Sequence, residues 1–309
     1  MTGVRATSLT LGEGRTPLIR APRLSAALGV ELHLKCEHLN PTGSFKDRGM
    51  AVAVERAAAR GARAVVCAST GNTAASAAAY ASRAGLEAVV LTPAGATASA
   101  KRAQAHAVGA RVLEVRGTFD DALRLCRELG EQEGFALVNS VNPDRIDGQR
   151  SVVGEIVEQL GKPPDVIALP YGGGGNVSAV AGGCDEAGIA PALVVGEAAE
   201  RPTTFASAIR IGAPAHQERI QGLMQDGHLT SVQLSDEELR AVWTQLARLE
   251  GVFCEPASAA GPAAVAKLQL PGTVVCIITG HGLKDTGAVD VSETESIQPT
   301  LAAVLEALA

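Results

Sequence analysis

The sequence contains few aromatic residues, no long apolar run and no excess of positive charge. Phenylalanine, tryptophan and tyrosine together make up 3% of its 309 residues, and the formal net charge at pH 7 is −6. Stacking platforms and basic surfaces for nucleic acid need more of both. No apolar run approaches the roughly 18 residues that cross a bilayer, and the first 20 residues lack the apolar block of a signal peptide. The composition therefore argues against nucleic-acid and membrane partners and favours a cytoplasmic protein.

The six cysteines are scattered along the chain, with no Cys-x-x-Cys pair and no cluster of cysteine and histidine. Zinc sites and disulfide frameworks depend on such spacings, so neither is predicted and no metal is expected. Three of the cysteines stand inside apolar runs, where a reduced thiol behaves as a small hydrophobic side chain. This usage fits a reducing compartment.

Short apolar runs rich in β-branched residues alternate with alanine-rich segments of helical length. This alternation is typical of strand–helix–strand units and predicts an α/β, doubly wound fold with a largely parallel sheet. The predicted strands cover residues 31–36, 64–68, 88–91, 111–115, 136–139, 166–170, 192–196 and 273–279. The predicted helices cover residues 44–60, 72–84, 98–108, 118–133, 147–160 and 176–187, and two more begin at a capping box on Ser235 and at Pro256.

The segment 40–49 places Lys46 at a predicted junction of loop and helix, with Ser44 as the expected helix cap. A helix N-terminus and partial burial both disfavour an ammonium ion, so a neutral fraction of Lys46 would be available to form a Schiff base with an aldehyde. Taken by itself, the same lysine also fits the exposed start of an amphipathic helix.

Two loops that follow predicted strands are suited to binding anions. Residues 69–73 offer hydroxyls, the amide of Asn72 and free backbone N–H groups, although a capped turn has a similar composition. Residues 172–176 include four glycines, whose N–H groups can approach a phosphate closely ahead of a helix. With Glu197 about 20 residues later, these glycines also permit a dinucleotide site, although the third glycine of that motif is missing.

Two further loops carry polar groups suited to a bound ligand. Residues 139–145 supply Arg145, whose planar fork suits a phosphate or carboxylate, although an arginine in an exposed turn would look the same. Residues 278–285 supply Thr279, whose hydroxyl is able to bond a pyridine nitrogen. His281 in that loop stands alone and is interpreted as structural.

With these motifs the chain resembles the threonine synthases, within the fold type II family of pyridoxal-phosphate enzymes. The resemblance runs through about residues 10–290 and rests on six motifs taken together. These motifs are residues 13–18, 40–48, 69–73, 139–143, 255–258 and 279–285.

The resemblance implies a role for each matching residue. Lys46 would carry pyridoxal 5'-phosphate and move protons, Asn72 would bond the coenzyme's 3-oxygen and Thr279 its ring nitrogen. The coenzyme phosphate would bind at Gly172, Gly173, Gly174, Gly175 and Asn176. Ser69, Thr70 and Thr73 would bind the carboxylate and phosphate of the substrate, and Ser140 and Arg145 would hold that phosphate.

The activity implied is the conversion of O-phosphohomoserine and water to threonine and phosphate, by γ-elimination and addition of water at the β-carbon. The implied architecture is a homodimer of two-domain chains, with residues 1–50 and 147–309 in a large domain, residues 51–146 in a small inserted one, and the coenzyme in the cleft between them. Gly173 stands where the family commonly has an asparagine, and the segment after Asn176 is short. The glycine run resembles that of serine and threonine dehydratases, so elimination or replacement at the β-carbon of another amino acid is the alternative.

Overall fold

The computed structural model describes residues 9–95, 100–290 and 296–308. The strands are β1 (Leu18–Arg20), β2 (Glu31–Lys35), β3 (Ala64–Ala68), β4 (Glu87–Pro93), β5 (Arg111–Val115), β6 (Phe135–Leu137), β7 (Val166–Pro170), β8 (Ala192–Ala198), β9 (Leu229–Leu234) and β10 (Thr273–Ile277). The helices are α1 (Pro22–Leu28), α2 (Lys46–Ala59), α3 (Asn72–Ala84), α4 (Ala100–Ala107), α5 (Phe119–Gly130), α6 (Pro143–Gln149), α7 (Ser151–Leu160), α8 (Gly175–Ala187), α9 (Gln217–Gln225), α10 (Asp236–Glu250), α11 (Ala260–Leu268) and α12 (Leu301–Ala307).

The described strands form two sheets. The larger has the order β1-β2-β10-β7-β8-β9 and is parallel except for β1, which pairs with β2 in the antiparallel sense. The smaller has the order β5-β4-β3-β6 and is parallel throughout. All four of its strands fall within the segment 51–146, and the predicted domain boundary stays a prediction.

Helices cover both faces of each sheet because successive side chains of a strand point to opposite sides. In β7, Val166 and Ala168 pack with residues of α1, α10 and α11, whereas Ile167 and Leu169 pack with residues of α7, α8 and α9. The smaller sheet packs on α2, α3 and α4 on one side and on α5 on the other. The predicted α/β fold with helices on both faces is therefore confirmed.

Several predicted helix boundaries differ from the structure. The predicted helix 147–160 is two helices, α6 and α7, which meet at Arg150. The segment opened by Pro256 begins as a short 3₁₀ turn before α11. The predicted helix 98–108 corresponds to α4, and its residues 98 and 99 lie outside the described part of the chain.

Two glycines let α2 and α6 approach until their backbones touch. A Cβ atom added to Gly49 would lie 2.3 Å from the carbonyl oxygen of Arg145, and one added to Gly148 would lie 2.4 Å from that of Arg48. Both distances are far below van der Waals contact, so neither position tolerates a side chain without a shift of the backbone. This contact fixes the start of α2 against α6.

Gly49→Ala is expected to destabilise the protein by about 1–3 kcal/mol, because the added methyl group overpacks this contact. The free energy of unfolding in denaturant checks it. Gly154→Ala in α7 is the matched control, since nothing lies within 4 Å of its added Cβ. The control should gain about 0.5–1 kcal/mol from helix propensity. Equal stability of the two variants would contradict the prediction.

In the described ranges, no helix is long and apolar enough to span a bilayer. Histidine, cysteine, aspartate and glutamate side chains also form no group of three or more suited to a metal ion among these residues. All six cysteines are buried and free.

Candidate active site

The loop before α2 lies against the loop that follows β10. The N–H of Phe45 donates to the carbonyl of Thr279 at 3.0 Å, and the N–H of His281 donates to the carbonyl of Gly43 at 2.9 Å. Lys46, the first residue of α2, is thereby held next to the carboxyl end of the central strand β10. In a parallel α/β sheet this is the edge at which ligands bind.

The predicted role of Ser44 as helix cap is wrong. Phe45 occupies the cap position and makes no side-chain cap bond, and Ser44 instead forms a backbone bridge to Gly280. The loop is braced by Asp47, whose carboxylate accepts from the N–H and hydroxyl of Thr42 at 2.7 and 2.6 Å. A side chain beyond the helix start thus takes over the bracing that a cap residue before it was expected to supply.

A buried ion network anchors the other side of this loop. Arg48 donates to both oxygens of Glu37 and both oxygens of Glu155, at distances between 2.6 and 2.7 Å. Lys35 donates to Glu155 at 2.7 Å. Burial by itself would raise the pKa of Glu155, but the hydrogen bonds and charges of Arg48 and Lys35 lower it to about 2. The network therefore stays ionised at neutral pH.

Lys46 has the amine best suited to react with an aldehyde. Three lysines are buried, and each has an oxygen partner: Lys35 donates to Glu155, Lys101 forms an ion pair with Glu255, and Lys284 donates to Gln104. Among the residues that the structure describes, the partner of the Lys46 amine is the ring of Phe45, whose centroid lies 4.4 Å from Nζ. A lysine without an anionic or carbonyl partner loses its proton most easily.

The surroundings of Lys46 favour its neutral form. Burial lowers the pKa of Lys46 to about 7, and the positive charge of Arg145 acts in the same direction, while the carboxylate of Glu255 opposes both. At neutral pH the amine is therefore present in protonated and neutral forms. This is the condition that a nucleophile and proton carrier needs.

Arg145 is fully buried, at 0% exposed, and only partly bonded. It lies in the first turn of α6, behind the cap residue Asn142, and not in an exposed turn. Its Nη1 donates to the carbonyl of Val138 at 2.9 Å, whereas Nε and Nη2 have no partner in the described part of the protein. Burial lowers the pKa of Arg145 to about 10, which still leaves it a cation at pH 7. A buried cation with two free donors is suited to bind an anion.

The glycine loop forms a second place for an anion, at the start of α8. Gly174 has a φ of +85°, which favours glycine, and a Cβ added to it would lie 3.0 Å from His216 and Ile220. The N–H groups of Gly172, Gly173 and Gly174 donate to no acceptor within the described ranges. Together with the helix dipole they fit a phosphate.

Side chains beside the glycine loop also have free polar atoms. The Nδ2 of Asn176 and the hydroxyl of Ser178 are buried without partners among the described residues. The dinucleotide interpretation is not favoured, because Glu197 is bonded to Arg201 at 2.5 Å and to Ser231 at 2.6 Å. Its carboxylate is engaged within the fold and has no role left for a ribose.

His216 joins the glycine loop to the loop that carries Ser140. Its ring Nε2 lies 2.9 Å from the carbonyl oxygen of Ser140, and its backbone N–H donates to Gly173 at 3.1 Å. The predicted coenzyme loop and the predicted substrate-phosphate loop are therefore neighbours. No sequence signal had singled out this histidine.

Asn72 follows the carboxyl end of β3 in the smaller sheet, and Thr279 follows that of β10 in the larger one. Asn72 begins α3 and donates from Nδ2 to Glu255 at 2.7 Å, and its Oδ1 has no partner among the described residues. The hydroxyl of Thr279 lies 3.1 Å from that of Ser258. Sequence reasoning had placed Glu255 in a motif without giving it a role.

The remaining predicted substrate residues lie on the loop that begins α3. Ser69 accepts the N–H of Gly71 at 3.0 Å, Thr73 is partly buried and Thr70 is exposed. The loop places them beside Asn72, and their contacts with a substrate stay predictions.

These residues fit pyridoxal phosphate, as judged from the donor groups alone. Lys46 offers an amine of lowered pKa for the aldehyde, and the glycine loop offers unbonded N–H groups for the phosphate. Asn72 and Thr279 offer an amide and a hydroxyl for the ring. Arg145 then remains available for a second anion, which a phosphorylated substrate would bring.

Comparison with known proteins shows which family this chain belongs to. A family model described as pyridoxal-phosphate dependent enzyme matches residues 9–280. The threonine synthase of Mycobacterium leprae (strain TN) is 48% identical, and the match covers 98% of this chain and 91% of the relative. The threonine synthase of Halalkalibacterium halodurans is 46% identical, with 90% and 84% covered.

Solved structures with the same architecture include two named enzymes. A threonine deaminase from T.th. is 26% identical with a TM-score of 0.76, and the match covers 91% of this chain and 94% of that one. Maize serine racemase is 21% identical with a TM-score of 0.77, with 96% and 92% covered. The second likeness, at this low identity, concerns the fold alone.

Proposed function

The chain belongs to the family of pyridoxal-phosphate dependent enzymes, and we infer that it is a threonine synthase, a lyase that forms L-threonine and phosphate from O-phosphohomoserine and water. Relatives with this activity in their names are 43–48% identical over most of the chain. The alternative of a dehydratase-like enzyme is not favoured, because the threonine deaminase with the same fold is only 26% identical.

One feature of the geometry supports this function above the others. Arg145 is a buried cation with two free donors, and its charge acts on the amine of Lys46. A site that bound only an unphosphorylated amino acid beside the coenzyme would leave those donors without an acceptor, which costs free energy. A phosphate on the substrate supplies the acceptor.

The proposed roles follow from the positions of these groups. Pyridoxal phosphate, when bound, would act as an electron sink for the substrate that is joined to it. Lys46 would hold the coenzyme's aldehyde through Nζ, and its neutral amine would be able to accept the proton of the substrate's α-carbon. Thr279 orients the ring through its hydroxyl, and Asn72 orients it through its amide.

Phosphate groups are held in two neighbouring places. The N–H groups of Gly172, Gly173 and Gly174 bind the phosphate of the coenzyme, ahead of α8. Arg145 binds the phosphate of the substrate with Nε and Nη2, and Ser140 is the proposed second ligand of that phosphate. Retention of the released phosphate by Arg145 would keep an acceptor close to the water that adds at the β-carbon.

Gly173 leaves out a side chain that the family commonly places against the substrate phosphate. A Cβ added there would have only the Cδ1 of Ile211 nearby, at 3.7 Å, so the position has room for a side chain. Its small size is therefore not forced by packing. We propose that Arg145 and Ser140 make up for the missing contact.

Cellular and assembly features complete the proposal. The six free, buried cysteines support a reducing compartment, the cytoplasm. The homodimer stays a prediction from the family, and light scattering of the purified protein tests it. The division at residues 50/51 and 146/147 also stays a prediction, and both boundaries fall inside helices, α2 and α6.

The activity is tested by two assays on the same enzyme. Phosphate release from O-phosphohomoserine and formation of 2-oxobutanoate from threonine are measured with coenzyme in excess. We expect the first reaction to run at least about a hundredfold more efficiently, because Arg145 gains its acceptor only from the phosphorylated substrate. Efficient formation of 2-oxobutanoate without phosphate release would overturn the assignment.

A further inference from the structure

Glu255 is a carboxylate at 1% exposed that joins the two lobes of the site. Its Oε1 lies 2.6 Å from Nζ of Lys101, and its Oε2 accepts from Asn72 at 2.7 Å. Lys101 and Asn72 belong to helices that pack on the smaller sheet, whereas Glu255 precedes the 3₁₀ turn at Pro256 on the larger one. The ion pair therefore spans the cleft.

The geometry around Gly280 shows how closely the carboxylate is placed. A Cβ added to Gly280 would lie 1.8 Å from Oε2 of Glu255, so only glycine admits the carboxylate there. The N–H of Glu255 also donates to the carbonyl of Gly280 at 2.8 Å. This anchors Glu255 to the same loop that holds the backbone in front of Lys46.

Lys101 is also held from the other side of the cleft. Its side chain is 8% exposed, with Nζ lying 3.5 Å from the hydroxyl of Ser207 and 3.8 Å from a carboxylate oxygen of Asp285. Ser207 in turn donates to Asp285 at 2.6 Å. A buried ammonium ion is costly unless it has a counter-ion. Glu255 supplies that counter-ion to Lys101.

The negative charge of Glu255 acts on the amine of Lys46. The carboxylate raises the pKa of Lys46, against the lowering by burial and by Arg145. Lys284 also feels Glu255, but its Nζ is bonded to Gln104 at 2.7 Å and to the carbonyl of Thr42. The charged groups that act on Lys46, Lys101 or Lys284 are thus Arg145, Glu255, Asp47 and Asp285.

We propose that Lys101 is a positioning residue for Lys46: it holds the Glu255 carboxylate against Asn72 and cancels a negative charge that would otherwise stabilise the Lys46 ammonium. This inference rests on the proposed role of Lys46 as the amine that binds the coenzyme. It assigns a function to a lysine outside the six motifs of the family. Lys101 touches neither of the reacting atoms and acts only through Glu255.

In the test, pyridoxal phosphate is added to full-length, coenzyme-free protein. The rate of the reaction is measured from the increase of absorbance at about 410 nm. Only the neutral amine reacts, so the rate against pH has its midpoint at the pKa of Lys46. In Lys101→Met the uncompensated carboxylate raises that pKa, and the midpoint should move up by about one pH unit. The rate at pH 6 then falls about tenfold, while the rate at pH 10 is unchanged.

Three further variants isolate the charge from the fold. Lys101→Arg should restore the midpoint, and Lys101→Met combined with Glu255→Gln should bring it back to or below that of the parent protein. Glu255→Gln alone should lower the midpoint. This variant tests the effect of the Glu255 charge on Lys46, on which the role of Lys101 depends, even if Lys101→Met fails to fold. Lys267→Met is the matched control, because its partner Glu238 lies 2.8 Å away in an exposed pair.

The outcomes separate this inference from the activity. An unchanged midpoint in Lys101→Met and in Glu255→Gln, or an equal loss of rate at every pH, would overturn the role of Lys101. Phosphate release from O-phosphohomoserine by the parent protein is measured in parallel. A parent protein that reacts with the coenzyme but releases no phosphate would refute the proposed substrate and leave the role of Lys101 standing.

Discussion

Replacement of Lys46 by alanine is expected to abolish threonine formation and to remove the absorbance of the lysine-bound coenzyme near about 410 nm. Lys46 has no oxygen partner within the described residues, and burial lowers its pKa to about 7. No second amine has both properties there, so a loss of at least about 10⁴-fold in kcat follows, comparable to the removal of other covalent nucleophiles. Spectroscopy of the purified variant and a phosphate-release assay measure the two effects.

Lys284→Met is the control for this prediction. Lys284 is also buried, and burial lowers its pKa to about 8, but it donates to Gln104 and to the carbonyl of Thr42. Its replacement should keep the absorbance band. If Lys284→Met lost the band and Lys46→Ala kept it, the assignment of the coenzyme lysine would be wrong.

Arg145→Ala is expected to reduce kcat/KM for O-phosphohomoserine by about 30- to 1,000-fold, which corresponds to about 2–4 kcal/mol of lost transition-state binding. The guanidinium of Arg145 is fully buried, and its Nε and Nη2 have no acceptor among the described residues. Without them the phosphate loses its charged partner, both when the substrate binds and when phosphate leaves. Initial rates over a range of substrate concentrations give the value.

The coenzyme should remain bound in Arg145→Ala, because the glycine loop holds its phosphate. Arg60→Ala provides the matched control: Arg60 is exposed and pairs with Asp144 at 3.1 Å, and its loss should leave kcat/KM unchanged. A value for Arg145→Ala within twofold of the parent protein would remove Arg145 from the site.

Much of the fold follows from local patterns in the sequence. The predicted strands 64–68, 111–115 and 166–170 and the predicted helix 72–84 match the structure at both ends, because apolar runs and glycine or proline turns coincide there. The capping box at Ser235 begins α10 as predicted. Strands β1 and β9 were not predicted, and β1 has only three residues, too few to show a periodicity.

The parts that could not be predicted depend on contacts between distant segments. The break between α6 and α7 has no proline or glycine at Arg150 to announce it. The bracing of the lysine loop by Asp47 depends on Ser76 and Thr42, which the chain brings together only after folding. The same is true of Lys101, whose partner Glu255 lies on the other side of the cleft.

The sequence motifs predict which loops form the candidate site, but they do not predict the contacts among its residues. The resemblance to the family assigns Lys46, Asn72, Arg145, Thr279 and the glycine loop to one site, and these assignments stay predictions. Glu255 and His216 came to notice only through their contacts, at 2.7 Å with Asn72 and 2.9 Å with Ser140. A sequence pattern indicates which residues a site contains. How their charges affect one another depends on the distances between them in the folded chain.

The ion network of Arg48, Glu37, Glu155 and Lys35 limits how this protein can evolve. Removing one member leaves a buried charge without a counter-ion, which typically costs about 3–5 kcal/mol, a large share of the stability of a domain. A lineage that replaces these four residues one at a time therefore passes through destabilised intermediates. Replacing all four together with apolar side chains of similar volume avoids those intermediates, so recombination or gene synthesis can reach variants that stepwise mutation does not.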